Sequence, residues 1–183
     1  MKIFKSFFTI SLFILAGLCS VFVGFESNGQ TPGTIEFIGD AGSPTKLTFE
    51  RWKFTKTLIP DGIIEAIEVS LEINTSSLQS SWKELEKSLK KKKNYFYIKK
   101  FPVAIVKIKG AQKRDDGRYQ TDALLTLKGV TKVVPLTFSI EGNHVIGEGV
   151  IMRREFNITG DGPKDEVPLS FDVYLPLTDS SLK

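Results

Sequence analysis

The chain has 183 residues and a formal net charge of +4, which fits one domain with an appendage. That excess is too slight for a nucleic-acid binder. With one cysteine and one histidine, a disulfide framework and a paired-cysteine metal site are excluded.

Lys2 and Lys5 precede an apolar run, Phe7–Phe25, and small residues stand at Ser27 and Gly29 ahead of Gln30. A basic start, an apolar middle and small residues before a cut are the layout of a secretory signal peptide, residues 1–29. An uncleaved anchor is the alternative, because the run is about as long as a membrane-spanning helix requires. Cys19 follows Leu18, where a lipid-attachment signal needs a small residue. Either way the protein is expected outside the cytoplasm, periplasmic or secreted. Removal of the segment takes Cys19, Lys2, Lys5 and Glu26 with it and leaves 154 residues, 30–183, at a net charge of +3. A chain of that length without disulfides must be held by its core alone.

Beyond residue 33 strand patterns recur at short intervals. Thr34–Gly39 places Ile35 and Phe37 on one face, and Gly42-Ser43-Pro44 is a turn. In Lys46–Thr55, Leu47 and Phe49 share a face, then Trp52 and Phe54 take the opposite parity. Such a switch predicts a bulge or bend near Glu50-Arg51. Pro60-Asp61-Gly62 is a turn. Ile63–Thr75 alternates cleanly, with Ile67, Val69, Leu71 and Ile73 inward and Glu68, Ser70, Glu72 and Asn74 outward. A slip of one residue would bury both glutamates, so the register is well specified.

Ser81–Lys93 changes period: Trp82, Leu85 and Leu89 recur at helical spacing. Ser80 or Ser81 is placed to cap this helix, and Glu84 and Glu86 lie near its positive end. Lys90, Lys91, Lys92 and Lys93 gather at its negative end, either as a solvated terminus or as a contact for anionic lipid headgroups.

Tyr95–Pro102 leads into a strand, Val103–Lys109, with Ala104, Val106 and Ile108 inside, and Arg114–Gly117 is the next turn. Tyr119–Glu141 then reads as a hairpin. Ala123, Leu125 and Leu127 form one stripe, and Val134, Leu136, Phe138 and Ile140 another. Gly129-Val130-Thr131 joins the arms, and Pro135, having no N–H, belongs at an edge or a bulge. His144–Phe156 follows with Val150, Met152 and Phe156 on one parity. After a Gly/Asp/Pro turn at Thr159–Lys164, Val167, Leu169, Phe171, Val173 and Leu175 face inward. About eight antiparallel strands with one inserted helix describe a sandwich or an up-and-down barrel.

Little in this chain points to catalysis. His144 stands beside a turn with no nucleophile motif near it. Asp161 and Asp165 are explained by turn formation. Arg153-Arg154 lies in the predicted strand, so one arginine points inward. It would need a ligand headgroup or an ion pair with Glu155 or Glu148.

Several segments together resemble the YceI-like family, bacterial periplasmic or secreted lipocalin-like proteins that bind polyisoprenoids. Leu125-Thr126-Leu127-Lys128-Gly129-Val130-Thr131-Lys132 matches that family's LT-x-x-GVTK core. Tyr95–Pro102 resembles its FFDVxKYP-like segment, and Arg153–Ile158 its R-x-x-F-G-I strand. The likeness spans roughly residues 33–175. Tyr97 stands where the family often has an acid, Asn157 where it often has glycine, and Ser88 where a histidine precedes the helix leucine.

The resemblance implies an all-β fold, an eight-stranded antiparallel lipocalin-like barrel with one inserted amphipathic helix, occupying 30–183. A barrel of that size is either filled by side chains or holds one slender ligand. The expected function is binding, sequestration or transport of an isoprenoid or similar lipid, with no catalytic residue, metal or cofactor. The guest would be a polyisoprenoid or an isoprenoid quinone. Phe37, Phe49, Trp52 and Phe54 would line one part of the tunnel with Ile67, Val69, Leu71 and Ile73. Leu85 and Leu89 would close its mouth. Phe96, Ile98, Phe101, Val106 and Ile108 continue the wall. Leu125, Leu127, Phe138, Met152, Phe156 and Phe171 complete it. The alternative is a barrel packed solid, a module that binds a protein or an anionic surface through its basic helix end.

Overall fold

The computed structural model describes residues 33–40, 44–162 and 164–177; the predicted signal segment and the residues of the turn at 42 and 43 lie outside them. Eleven strands form one antiparallel sheet. They are β1 (Gly33–Asp40), β2 (Pro44–Phe49), β3 (Trp52–Leu58), β4 (Glu68–Asn74), β5 (Leu78–Ser80) and β6 (Val103–Lys109). The two-residue β7 (Gln112–Lys113) is followed by β8 (Tyr119–Leu127), β9 (Val130–Glu141), β10 (His144–Met152) and β11 (Glu166–Tyr174). The helix, α1, spans Lys83–Lys91.

The sheet order is β3-β4-β6-β8-β9-β10-β11-β1-β2-β5, with β7 on the flank of β8. The wall curls back on its own beginning because β2 and β3 are one bent strand, interrupted only at Glu50-Arg51. That is the bend the parity switch predicts. Its backbone is held from the facing strand: Glu50 N donates to Ser77 O (3.3 Å) and Asn74 N to Arg51 O (2.9 Å). The Ser77 hydroxyl accepts from Arg51 N at 3.0 Å. β4 and β5 bend in step through a single turn, Thr75–Ser77. Among the described residues the sheet has eleven strands, not the expected eight; counting each bent pair as one and setting β7 aside leaves eight segments of a curled antiparallel sheet.

Where β4 lies between β3 and β6, the predicted register holds. Ile67, Val69 and Ile73 are buried, while Glu72 and Glu68 face water, paired to Lys53 (3.2 Å) and to Lys56. Such exposed pairs contribute little stability.

Several details of the strands differ from expectation. The β8–β9 connection is the two-residue turn Lys128-Gly129, not Gly129–Thr131. Both residues have positive φ, 53° and 77°, the combination that matches the twist of a tight hairpin. Val130 and Thr131 instead pair with Leu127 and Thr126. Phe101 packs against Gly129 so closely that a Cβ would fall 3.0 Å from its ring.

The inward face of β10 is the odd one: Val145 is buried, whereas Val150 and Met152 point outward, 47% and 36% exposed. Two of the inward positions are Gly147 and Gly149, which show no apolar signal in the sequence. Their missing side chains make room for Phe171 and Leu136.

The strand also ends at Met152. Arg153–Phe156 is a 3-10 turn closed by Asn157 in the left-handed region at φ 57°, a conformation glycine adopts freely and asparagine tolerates. Pro135 is not at the expected edge or bulge: it pairs with Asp122 inside the β8–β9 ladder, and only on its other side has the pairing ended, since β9 meets β10 from Leu136 onward.

α1 is shorter than the predicted 81–93. Trp82 is its N-cap and makes no side-chain cap bond; the Ser80 hydroxyl instead accepts from Trp82 N at 3.1 Å.

Candidate functional site: an apolar cavity

The alternating strands and the inner face of α1 line a cavity of about 210 Å³ that is partly open to solvent. The interior is therefore not packed solid. An apolar cavity of ~150 Å³ already admits benzene. Its wall is hydrocarbon almost throughout. Phe37, Phe49 and Phe54 line it from β1–β3; Ile67, Val69, Leu71 and Ile73 follow from β4 and the residue before it. Val106 and Ile108 on β6, Leu125 and Leu127 on β8, Phe138 on β9 and Phe171 on β11 complete the barrel's share. Leu85 and Leu89 reach in from α1, and Phe96 from the segment after it. Phe96 meets Phe37 and Phe49 edge-on, with ring centroids 5.9 and 6.1 Å apart, which braces the end beneath the helix.

Five expected wall residues lie elsewhere. Trp52 is half-buried and packs edge-on against Phe54 at 5.4 Å, backing the wall without forming it. Ile98 packs against the core from the turn after α1. Phe101 covers Gly129. Met152 faces outward because of the β10 parity. Phe156 is fully buried, in the 3-10 turn where the predicted strand has already ended. Ile35, Leu47, Leu169 and Val173 also reach the cavity, and their parity with the expected residues is legible in the sequence. Tyr95, Ile151 and Ile158 line it too; Ile151 is hidden in the sequence by its glycine neighbours.

Among the described residues, polar side chains enter the wall around the loop from Arg153 to Glu166, where Arg153, Asp161, Lys164 and Glu166 contribute. Arg153 is buried, yet no carboxylate pairs with it among the described residues. Its guanidinium instead gathers four carbonyls of the loop. Nε donates to Lys164 O (2.8 Å), Nη1 to Ile158 O (3.2 Å) and Gly160 O (2.6 Å), and Nη2 to Gly162 O (2.8 Å). The pairing with Glu155 or Glu148 considered from the sequence does not occur; Glu148 binds Arg118 at 2.8 Å.

The same loop is tied to the segment after α1. Asn94 O accepts from Thr159 N and Gly160 N, both at 2.9 Å. The Tyr95 hydroxyl donates to Asp161 O at 3.3 Å, while its ring lies where a Cβ of residue 160 would be. Burial pushes the Tyr95 phenol above its ordinary pKa. Lys128 joins from the hairpin by donating to Asn157 O, and burial lowers its pKa. The motif residues Lys128-Gly129, Phe101 and Arg153 are thus architectural: they assemble the rim.

No group of acidic, histidine or cysteine side chains able to hold a metal occurs among the described residues. His144 lies outside the cavity, 2.7 Å from Asp172 and stacked on Tyr174, and among the described residues no serine or cysteine is hydrogen-bonded to it.

A family model, the YceI-like domain, matches residues 29–175. The chain belongs to the YceI-like family. No curated protein matches the sequence. Among solved structures, BcnA of Burkholderia cenocepacia is similar at 22% identity, covering 77% of this chain and 94% of its own, with a TM-score of 0.63. A polyisoprenoid binding domain from Saccharophagus degradans, implicated in plant cell wall breakdown, is similar at 13% identity, 80% and 94% coverage, and a TM-score of 0.58. The YceI protein of Campylobacter jejuni is similar at 18% identity, 75% and 87% coverage, and a TM-score of 0.63. At these identities the likeness establishes the lipocalin-like fold shared by YceI-like proteins.

Proposed function

We propose that this YceI-like protein binds a single isoprenoid or similar lipid chain in its barrel and sequesters or carries it within the cell envelope, without catalysing a reaction on it. One observation carries the reading: a cavity of about 210 Å³ whose wall is hydrocarbon except at one rim. Water gains little there, whereas each CH₂ group moved in from water is worth ~0.8 kcal/mol. A polyprenyl chain or the tail of an isoprenoid quinone fits such a space, and the polyisoprenoid binding domain among the similar structures supports the choice. The signal-peptide layout of residues 1–29 supports the location.

Organic extraction of protein purified from the cell envelope, followed by mass spectrometry, tests this. A prenyl lipid at close to one per chain is the expected result. Extracts with no lipid, together with failure to take up polyprenol or ubiquinone added in detergent, would reject it.

A further inference from the structure

The chain's charge is gathered at one place. Residues 82–100 hold eight lysines and two glutamates, a net of +6, against +4 for the whole sequence; all the rest is net acidic. Both glutamates stand on α1. Glu86 is consumed locally, bonded by Lys90 at 2.8 Å and Lys83 at 2.9 Å. Lys90 therefore belongs to the helix itself and drops out of the run that the sequence offers. Lys87, Lys91, Lys92 and Lys93 are exposed and form no ion pair among the described residues. Trp82, at the start of the same helix, leaves 42% of its surface to water. Leu85 and Leu89, which share the helical spacing of Trp82 and lie across the helix from Lys87 and Lys91, line the cavity wall.

From this two-sided helix we infer that α1 is a docking face for an anionic lipid bilayer, with Lys87 and Lys91–Lys93 against the headgroup phosphates and Trp82 in the interfacial layer. The inference rests on the lipid-binding reading, since it places the lip of the cavity against the bilayer from which a lipid would be drawn. An indole at the headgroup level and lysines reaching phosphates are what an interfacial helix requires. Each lysine near an anionic surface is worth about five-fold in partitioning. An acidic protein would satisfy the lysines but gives no reason for an exposed indole at the other end of the same helix.

The test is sedimentation of the full chain with phosphatidylglycerol/phosphatidylethanolamine vesicles and with phosphatidylcholine vesicles, at low and high salt. An apolar N-terminal run, where retained, binds both compositions and brings Lys2 and Lys5 with it, so the charge of α1 is isolated by comparing wild type with the triple lysine variant on the same N-terminus. Binding is expected to favour the anionic vesicles and to weaken as salt rises. Tryptophan emission should shift to the blue on the anionic vesicles only, and Trp82→Phe should remove that shift. The variant Lys91→Gln/Lys92→Gln/Lys93→Gln, all at exposed positions, should lower anionic partitioning about a hundred-fold while unfolding at the wild-type temperature.

Equal binding to both vesicle types, salt-independent binding, or an unaltered triple variant would overturn the inference. So would polyglutamate binding tighter than the anionic vesicles, which would assign the face to an acidic protein. The salt titration needs no variant. Mass spectrometry of extracts separates the two claims: bound lipid without vesicle binding removes the docking face alone, and no lipid in any sample removes the cavity reading.

Discussion

Gly147 lies against the ring of Phe171, and a Cβ at that glycine would fall 2.2 Å from Cζ. Phe171 forms part of the cavity wall, so a residue without a side chain on one strand sets the position of an aromatic on the next. Gly147→Ala must push the ring inward or spread β10 from its neighbours. We expect a loss of about 1–3 kcal/mol in urea unfolding, with less lipid bound per folded chain because the ring moves into the space the guest needs. An unchanged midpoint with full lipid content would show that the contact is slack.

Arg153 holds four carbonyls of the 158–164 loop and is the buried cation of the rim. Arg153→Met leaves those carbonyls without their donor, at a cost of at least ~3 kcal/mol. Arg153→Lys should recover little, since one ammonium cannot reproduce the guanidinium fork. Amide exchange at Thr159 and Gly160 reports the loop directly and should speed up in both variants. Wild-type exchange there would mean that the Asn94 carbonyl alone holds the loop.

Glu86 is held down to about 2 from an ordinary 4.5, by the hydrogen bonds of Lys90 and then of Lys83. The folded pKa lies below the unfolded one, so the carboxylate stabilises the fold above about 4.5. That contribution is lost as pH falls from there through about 2. Glu86→Gln removes it. The melting temperatures of wild type and variant should differ most at pH 6–7 and converge toward pH 2. A gap that persists at pH 2 would point to lost packing instead.

Ala123 lines the cavity and is almost fully buried. Ala123→Leu places a branched side chain where a guest would lie. Lipid content after purification should fall several-fold, and the lipid-free protein should unfold no earlier than wild type, since the added methyl groups occupy existing space. Early unfolding with normal lipid content would place the cavity away from this residue.

Much of the wall was legible because strand alternation reports burial directly. The β4 register and the bend at Glu50-Arg51 follow from parity alone. Parity failed on β10, where the inward positions are glycines and the outward ones, Val150 and Met152, are apolar; the rule counts hydrophobicity and is blind to a face built from absent side chains. The Lys128-Gly129 turn was misplaced because a lysine with positive φ carries no sequence mark. The sequence marks one of Arg153 and Arg154 as inward without saying which; it is Arg153, and its partners are backbone carbonyls, which have no letter in the sequence. Phe101, Trp52, Ile98 and Phe156 have the composition of wall residues and serve as buttresses, a difference that only three-dimensional placement reveals.

Among the described residues β3 has a single hydrogen-bonded neighbour, β4, while β2 has two, β1 and β5. Among the described residues the ring of amide bonds is closed at β2 and open only along the outer flank of β3. Widening beside β3 would break no described rung, as a coat with a pleat admits a broader wearer. On the lipid-binding reading proposed above, tolerance toward guests of unequal girth lies in that seam, and a covalent tie across β3 is expected to favour the slenderest of them.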